Sequence, residues 1–235
     1  MRGILRFLLL LFLFSFPASA QEYIISEEFR DLKNWEPLYF PKVDRHSRYS
    51  VIRKGEDSYL MAESEDSASG LLYSDTFDVY SWPVLTWRWK VEDIIPSGDA
   101  RKRKGDDYSI RIYVIFKYDP AGASGFRKFQ YNMARAVYGE YPPDSGLNYV
   151  WANRSWGTPF VPNSYSGRVV MIAMDTGPGE AGLWKEHRVN ILEDYRRIFG
   201  TDPPSPASLA VMTDSDNTDS SGIGYIDYIR IGKEE

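Results

Sequence analysis

Cysteine is absent from all 235 residues, and histidine occurs only at His46 and His187. The first absence excludes a disulfide framework, thiolate catalysis, cysteine-held zinc and a lipid-anchored N-terminal cysteine. The second excludes an HExxH helix and any multi-histidine metal centre. Basic residues are also in deficit, with 28 Lys and Arg against 33 Asp and Glu and a formal charge of −5. Nucleic-acid binding draws most of its affinity from Lys and Arg on phosphates, so this balance argues against it. Long apolar runs are missing beyond the N-terminus, and so are internal repeats, low-complexity tracts and interdomain linkers.

What is present begins with a processing signal. Arg2 and Arg6 precede the run 7–16, in which Ser15 is the only polar residue, and Pro17 leads into Ala18-Ser19-Ala20 just before Gln21. This is the pattern of a cleaved secretory signal peptide. An uncleaved anchor fits poorly, because ten residues at about 1.5 Å each reach about half of a roughly 30 Å hydrocarbon core. The expectation is removal of 1–20, a periplasmic product without a membrane span, and a single β-sandwich domain over 21–235 that acts as a monomer. Loss of Arg2 and Arg6 takes the formal charge to −7. A chain of this length buries enough surface to fold without disulfides or metals.

Period-two alternation dominates the middle of the chain. In 85–91, Leu85, Trp87, Trp89 and Val91 are apolar while Thr86, Arg88 and Lys90 are polar, the signature of a half-buried strand. Segment 109–116 repeats it, with Ile110, Ile112, Val114 and Phe116 on one face and Ser109, Arg111 and Tyr113 on the other. Segment 169–174 is apolar on both faces and reads as a central strand. Further strands are expected at 49–53, 59–62, 71–77, 147–152, 209–213 and 225–231, separated by Gly, Pro, Asn and Asp clusters. Many strands with little helix predict an all-β antiparallel sandwich of jelly-roll type, concanavalin-like or galactose-binding-like, rather than a βαβ fold. One helix is well specified over 190–200. Asn190 caps it with Glu193 three residues on, Ile191, Leu192, Tyr195, Ile198 and Phe199 form a stripe, and Gly200 with Pro203 ends it. A second short helix is expected near 126–137.

Several constellations carry chemistry. Gly177 to Gly182 spells G-x-G-x-x-G, but the dinucleotide fingerprint needs a βαβ context, so the match reads as a loop. Segment 214–219, Asp-Ser-Asp-Asn-Thr-Asp, starts like a calcium loop yet has Asp219 and Tyr225 where an EF-hand requires Gly and Glu. It reads as a polar turn in preference to a metal or sugar contact. The basic run 101–104 reads as a solvated loop. Asp227 shares its alternation with Tyr225, Ile229 and Ile231, which predicts a carboxylate aimed at an apolar layer. Such a charge must be paired, by an arginine as the favoured solution, or by calcium shared with Glu27 or Glu28 in the first strand expected after residue 20. If strands 85–91 and 109–116 are neighbours, Arg88, Lys90, Arg111 and Tyr113 form a patch able to grip carboxylates and hydroxyls. Trp151 adds stacking surface there, although core packing is the ordinary fate of a tryptophan.

A set of motifs together resembles a known bacterial family. They are Leu85-Thr-Trp-Arg-Trp-Lys-Val91, Gly105-Asp-Asp-Tyr108 with Arg111-Ile-Tyr-Val-Ile-Phe116, Leu147-Asn-Tyr-Val-Trp151, Asp194-Tyr195 through Phe199-Gly200, and Met212-Thr-Asp-Ser-Asp-Asn-Thr218. The combination is similar to the family catalogued as domain of unknown function 3047 and covers most of the chain after residue 20. The resemblance implies an exported Gram-negative envelope protein and implies no activity. The opening Glu28-Phe29 with Trp35 and the closing Tyr225-Ile226-Asp227 are similar to the edges of carbohydrate-binding jelly rolls. The function expected is therefore non-catalytic binding of a glycan or acidic polysaccharide, through Arg88, Lys90, Arg111, Tyr113 and Trp151. Calcium at Glu28 and Asp227 is the one cofactor admitted. The alternatives are a polysaccharide lyase or glycoside hydrolase, with His187 and a tyrosine as proton carriers, and a structural envelope protein that binds a protein partner.

Overall fold

The computed structural model describes residues 21–41, 43–120, 125, 128, 129, 131, 132 and 143–234. Among these, thirteen strands form two packed sheets. In chain order they are β1 (Tyr23–Glu27), β2 (Trp35–Leu38), β3 (Arg48–Lys54), β4 (Asp57–Glu65), β5 (Ala68–Phe77), β6 (Val84–Val91), β7 (Tyr108–Phe116), β8 (Ser145–Ala152), β9 (Phe160–Pro162), β10 (Val169–Thr176), β11 (Lys185–Asn190), β12 (Ala207–Asp214) and β13 (Ser221–Gly232). Sheet A runs β11-β6-β13-β4-β3, with β1 also paired to β13, and sheet B runs β2-β5-β12-β7-β8-β10-β9. The predicted sandwich is present, with one departure from antiparallel order in that β8 and β10 pair in parallel. Edge strands carry charge or proline, as at Arg53 and Lys54 of β3 and Pro37 of β2, which discourages pairing with further chains.

The alternation in 85–91 and 109–116 holds as expected. Trp87 and Trp89 of sheet A point inward and meet Tyr149 and Trp151 of sheet B, with ring centroids 5.4 and 6.3 Å apart. Ile110, Ile112, Val114 and Phe116 join the same buried layer. This layer is the main hydrophobic driving force for folding. Gly222 and Gly224 of β13 let the two sheets close on each other. A Cβ at Gly224 would stand 2.5 Å from Ile110 Cβ and from the Ser109 carbonyl oxygen.

The predicted helix, α1 (Ile191–Phe199), starts where expected. The Asn190 side chain accepts a hydrogen bond from the Glu193 backbone N–H at 3.1 Å, and Gly200 closes the helix at φ 70°. Ile191 and Tyr195 reach the core, where the Tyr195 ring lies 4.7 Å from that of Phe116. The second expected helix, near 126–137, lies for the most part outside the described residues, as do 1–20. No helix among the described residues is long and apolar enough to cross a membrane.

Candidate functional site

β6 and β7 are not neighbours. They belong to opposite sheets and meet through their apolar faces, so their polar faces point out of the sandwich in opposite directions. The common patch expected of Arg88, Lys90, Arg111 and Tyr113 therefore does not form. Trp151 is 1% exposed and its Nε1 donates to the Gly177 carbonyl, so its ring lies in the core rather than on a binding surface. Local alternation fixes which residues share a face, but not which sheet a strand joins.

On the outer face of sheet A, Arg88 and Lys90 sit among rings. Lys90 Nζ is 4.4 Å from the Tyr225 ring centroid and 5.2 Å from that of Trp184, while Arg88 Cζ is 5.3 Å from Trp184. Arg88 is also held by Asp227 at 2.9 Å. The expected direction of Asp227 is corrected here. A β-bulge between Ile226 and Tyr228 shifts the alternation, leaving Ile226, Ile229 and Ile231 inward and turning Asp227 outward, where its side chain is 26% exposed. The arginine pairing is observed and the apolar burial is not. Glu28 in turn accepts from Arg230 Nε and Nη2 at 3.0 and 2.7 Å, so Glu28 and Asp227 serve separate ion pairs and do not converge on one cation.

The outer face of sheet B holds a cleft of about 570 Å³. Its walls are Leu38, Phe40, Pro41 and Val43 from the segment after β2, Tyr113 and Ile115 of β7, Ala210 and Met212 of β12, and Tyr165 and Val169 around the start of β10. At its polar end are Asp106, Arg111, Asn163, Asp214, Asp216 and Asn217. Alternation in β7 aims Arg111 and Tyr113 at this cleft, and the β12–β13 turn delivers Asp216 and Asn217. Sequence reasoning missed Phe40 and Tyr165, because they sit in loops with no periodic pattern and reach the cleft only through the sheet order.

Arg111 is 3% exposed, with both terminal nitrogens paired and its Nε buried without a partner among the described residues. Its Nη2 pairs with Asp214 Oδ2, its Nη1 lies 3.4 Å from Asp106 Oδ1, and the Tyr108 ring covers it at 4.9 Å. Burial works against the guanidinium charge, yet Asp214 first and Asp106 with it outweigh that cost and hold its pKa above the usual value. Burial pushes the Asp214 carboxyl well up, against the pull of Arg111. It also raises Asp216, with Asp107 adding repulsion. The Tyr113 phenol is raised by burial as well. Arg111 is thus part of an internal ion-pair network, and it is not free to grip a ligand carboxylate as expected from its place on the strand.

The turn 214–219 behaves as the polar inter-strand turn expected of it. Asp107 Oδ1 accepts from the Asn217 backbone N–H at 3.2 Å and from Asn217 Nδ2 at 3.0 Å, and Asp107 Oδ2 accepts from Thr218 Oγ1 at 2.6 Å. Asp107, Asp214 and Asp216 each bring one carboxylate oxygen within 4.8 Å of the others, the one such acidic group among the described residues. These are the residues able to approach a hard cation, although Asp214 and Asp107 already have donors from the protein. Tyr165 donates its hydroxyl to Asn217 Oδ1 and to the Arg103 carbonyl, which closes the rim. In the basic run, Arg101 and Lys102 pair with Asp99, and Arg103 Nε donates to the Ser164 carbonyl.

His187 lies elsewhere. It stands on the inner side of β11, with its Nε2 2.7 Å from Asp175 Oδ2, and its ring lies 5.1 Å from Trp87 and 5.7 Å from Trp89. Trp89 Nε1 donates to the same Asp175 oxygen at 2.7 Å. The pair bridges the two sheets and is separated from the cleft by sheet B.

The family model for the protein of unknown function DUF3047 matches residues 33–230. The chain belongs to this family. No curated protein matches the sequence. Among solved structures, the family 11 carbohydrate-binding module of the cellulosomal cellulase Lic26A-Cel5E of Clostridium thermocellum is similar at 12% identity and a TM-score of 0.45, over 93% of this chain and 98% of that one. The Emp47p carbohydrate recognition domain is similar at 13% identity and 0.47, over 89% and 95%. Endoglucanase 3 of Trichoderma harzianum, from family GH12, is similar at 9% identity and 0.40, over 92% and 100%. Likeness at this level concerns the sandwich and leaves the ligand open.

Proposed function

We propose that this chain is an exported envelope protein that binds a glycan without cleaving it, and that the cleft on sheet B is the site. The observation that carries the reading is the union of two surfaces in one concave space. The rings of Phe40, Tyr113 and Tyr165 stand beside the carboxylate and amide groups of Asp216, Asn217 and Asn163. A sugar presents both complements, with C–H faces that lie against rings and hydroxyls that donate to carboxylates. A mostly apolar cleft with a few convergent polar groups is the usual form of a small-ligand site. Among the described residues the Asp216 carboxylate accepts from Asn217 Nδ2 at Oδ1 and from a backbone N–H, and its remaining lone pairs leave acceptor capacity for a hydroxyl.

The test is a glycan array with the exported chain, followed by titration calorimetry of each hit. Wild type is expected to bind in the micromolar to millimolar range, and Tyr165→Ala to weaken binding about tenfold or more, as loss of a stacked ring does. Incubation with each hit should leave the glycan intact, and cleavage products would replace the binding role with the lyase or hydrolase one. Should no glycan bind at millimolar concentration, the apolar walls fit a protein partner better and the glycan reading fails.

A further inference from the structure

The polar end of the cleft is electrostatically one-sided. Asp106, Asp214 and Asp216 line it, and Asp107 stands behind them with an oxygen within 4.8 Å of those of Asp214 and Asp216. Arg111 is the one cation among the described lining residues, and both of its terminal nitrogens are taken by Asp106 and Asp214. With every carboxyl ionised these five groups sum to a formal charge of −3, and the raised carboxyls of Asp214 and Asp216 are the first to give up that charge as pH falls. At the rim, Arg103 returns one positive charge, its Cζ 5.3 Å from the Tyr165 ring. Arg45 is spent on Asp66, and Arg101 and Lys102 on Asp99. The excess of carboxylate remains.

A second group registers the same field. The Tyr165 phenol is held above its usual pKa by burial and then by Asp106, Asp216, Asp107 and Asp214. A phenolate at that position is opposed by four carboxylates, and a carboxylate or sulfate on a bound sugar meets the same opposition. At about 7 Å and an effective dielectric near 20, with physiological screening, each uncompensated negative charge weakens an anionic ligand by roughly fivefold.

We propose that the cleft selects glycans free of carboxylate and sulfate groups, and favours amino sugars whose ammonium meets Asp216. This rests on the glycan reading of the cleft and excludes the acidic polysaccharides that its strand-borne arginine suggested. The test uses three hexasaccharides of matched β-1,4 pyranose backbone, of glucose, glucosamine and mannuronate, titrated calorimetrically into the exported chain in near-neutral, low-salt buffer, where the raised carboxyls of Asp214 and Asp216 are more ionised than in acid. The expected order is glucosamine tightest and mannuronate weakest, with mannuronate at least about fivefold below glucose. Asp216→Asn and high salt should both narrow that spread. Mannuronate binding as tightly as glucose, or a spread unmoved by Asp216→Asn, overturns the charge selection. A different result defeats the underlying reading instead, namely no binding by any of the three, or binding that Tyr165→Ala leaves untouched.

Discussion

Arg111 shows how far a single residue can be read. Its place on the face opposite Ile110 and Ile112 was legible from alternation, but its burial was not. Its partners were not legible, because Asp106 lies five residues away on the β6–β7 connection while Asp214 lies 103 residues on. The consequence is a stability prediction. Arg111→Met leaves Asp106 and Asp214 buried without their cation, and should cost about 3–5 kcal/mol in urea unfolding with no glycan present. The double variant Arg111→Met with Asp214→Asn should recover part of that loss. Asp216 supplies a pH test with the opposite sign from an ordinary ion-paired carboxylate. Its folded pKa is raised above the unfolded value, so wild type pays for ionisation at neutral pH. That penalty disappears as pH falls through the raised value toward the unfolded one near 3.8. Asp216→Asn should therefore melt higher than wild type at neutral pH, and the advantage should fade by about pH 4. A constant difference across that range would show that the carboxyl titrates normally.

At the scale of elements, alternation and capping located the strands and α1, because both are local signals that packing reinforced. β2 and β9 escaped notice because they are short and carry no clear alternation, and β11 because Val189 is its one apolar residue. The bulge in β13 escaped for a different reason. Alternation assigns Asp227 to the inner face, and only the pairing with β6 shows an extra residue that restores Ile229 and Ile231 to the core. Glycine in this strand has a specific task. The space at Gly224 is already filled by Ile110 and the Ser109 backbone, and the latter cannot rotate away. Gly224→Ala should force the sheets apart locally and destabilise by about 1–3 kcal/mol. Gly179, on a loop with no heavy atom near its Cβ direction, should accept alanine with little change, so paired urea titrations of the two variants check the assignment.

For the whole molecule, the decisive fact is that the sandwich has two outer faces and one interior, and that the residues expected to act together are distributed over all three. Arg88 and Lys90 lie on the face of sheet A, Trp151 lies inside, and Arg111 and Tyr113 are on the cleft side of sheet B. Sequence alone carried the outward sense of Lys90 and Tyr113 within their strands, but it set Trp151 on the binding surface, and sheet membership depends on long-range pairing that no local window contains. The separation predicts a pattern of effects. Trp151→Phe shrinks a core ring and removes the Nε1 hydrogen bond to Gly177, so it should lower stability by about 1–3 kcal/mol and leave glycan affinity unchanged. Lys90→Ala removes cation–π contacts with Trp184 and Tyr225 on the far face, should cost about 1 kcal/mol or less, and should also leave affinity unchanged, because distant sites act independently. Tyr165→Ala should do the reverse, with a small change in melting and a large loss of binding. Calorimetric titration and urea unfolding of all three variants measure both axes. A loss of affinity in Lys90→Ala with stability intact would move the site to sheet A, where the half-buried rings of Tyr59, Trp184 and Tyr225 would have to supply the stacking surface.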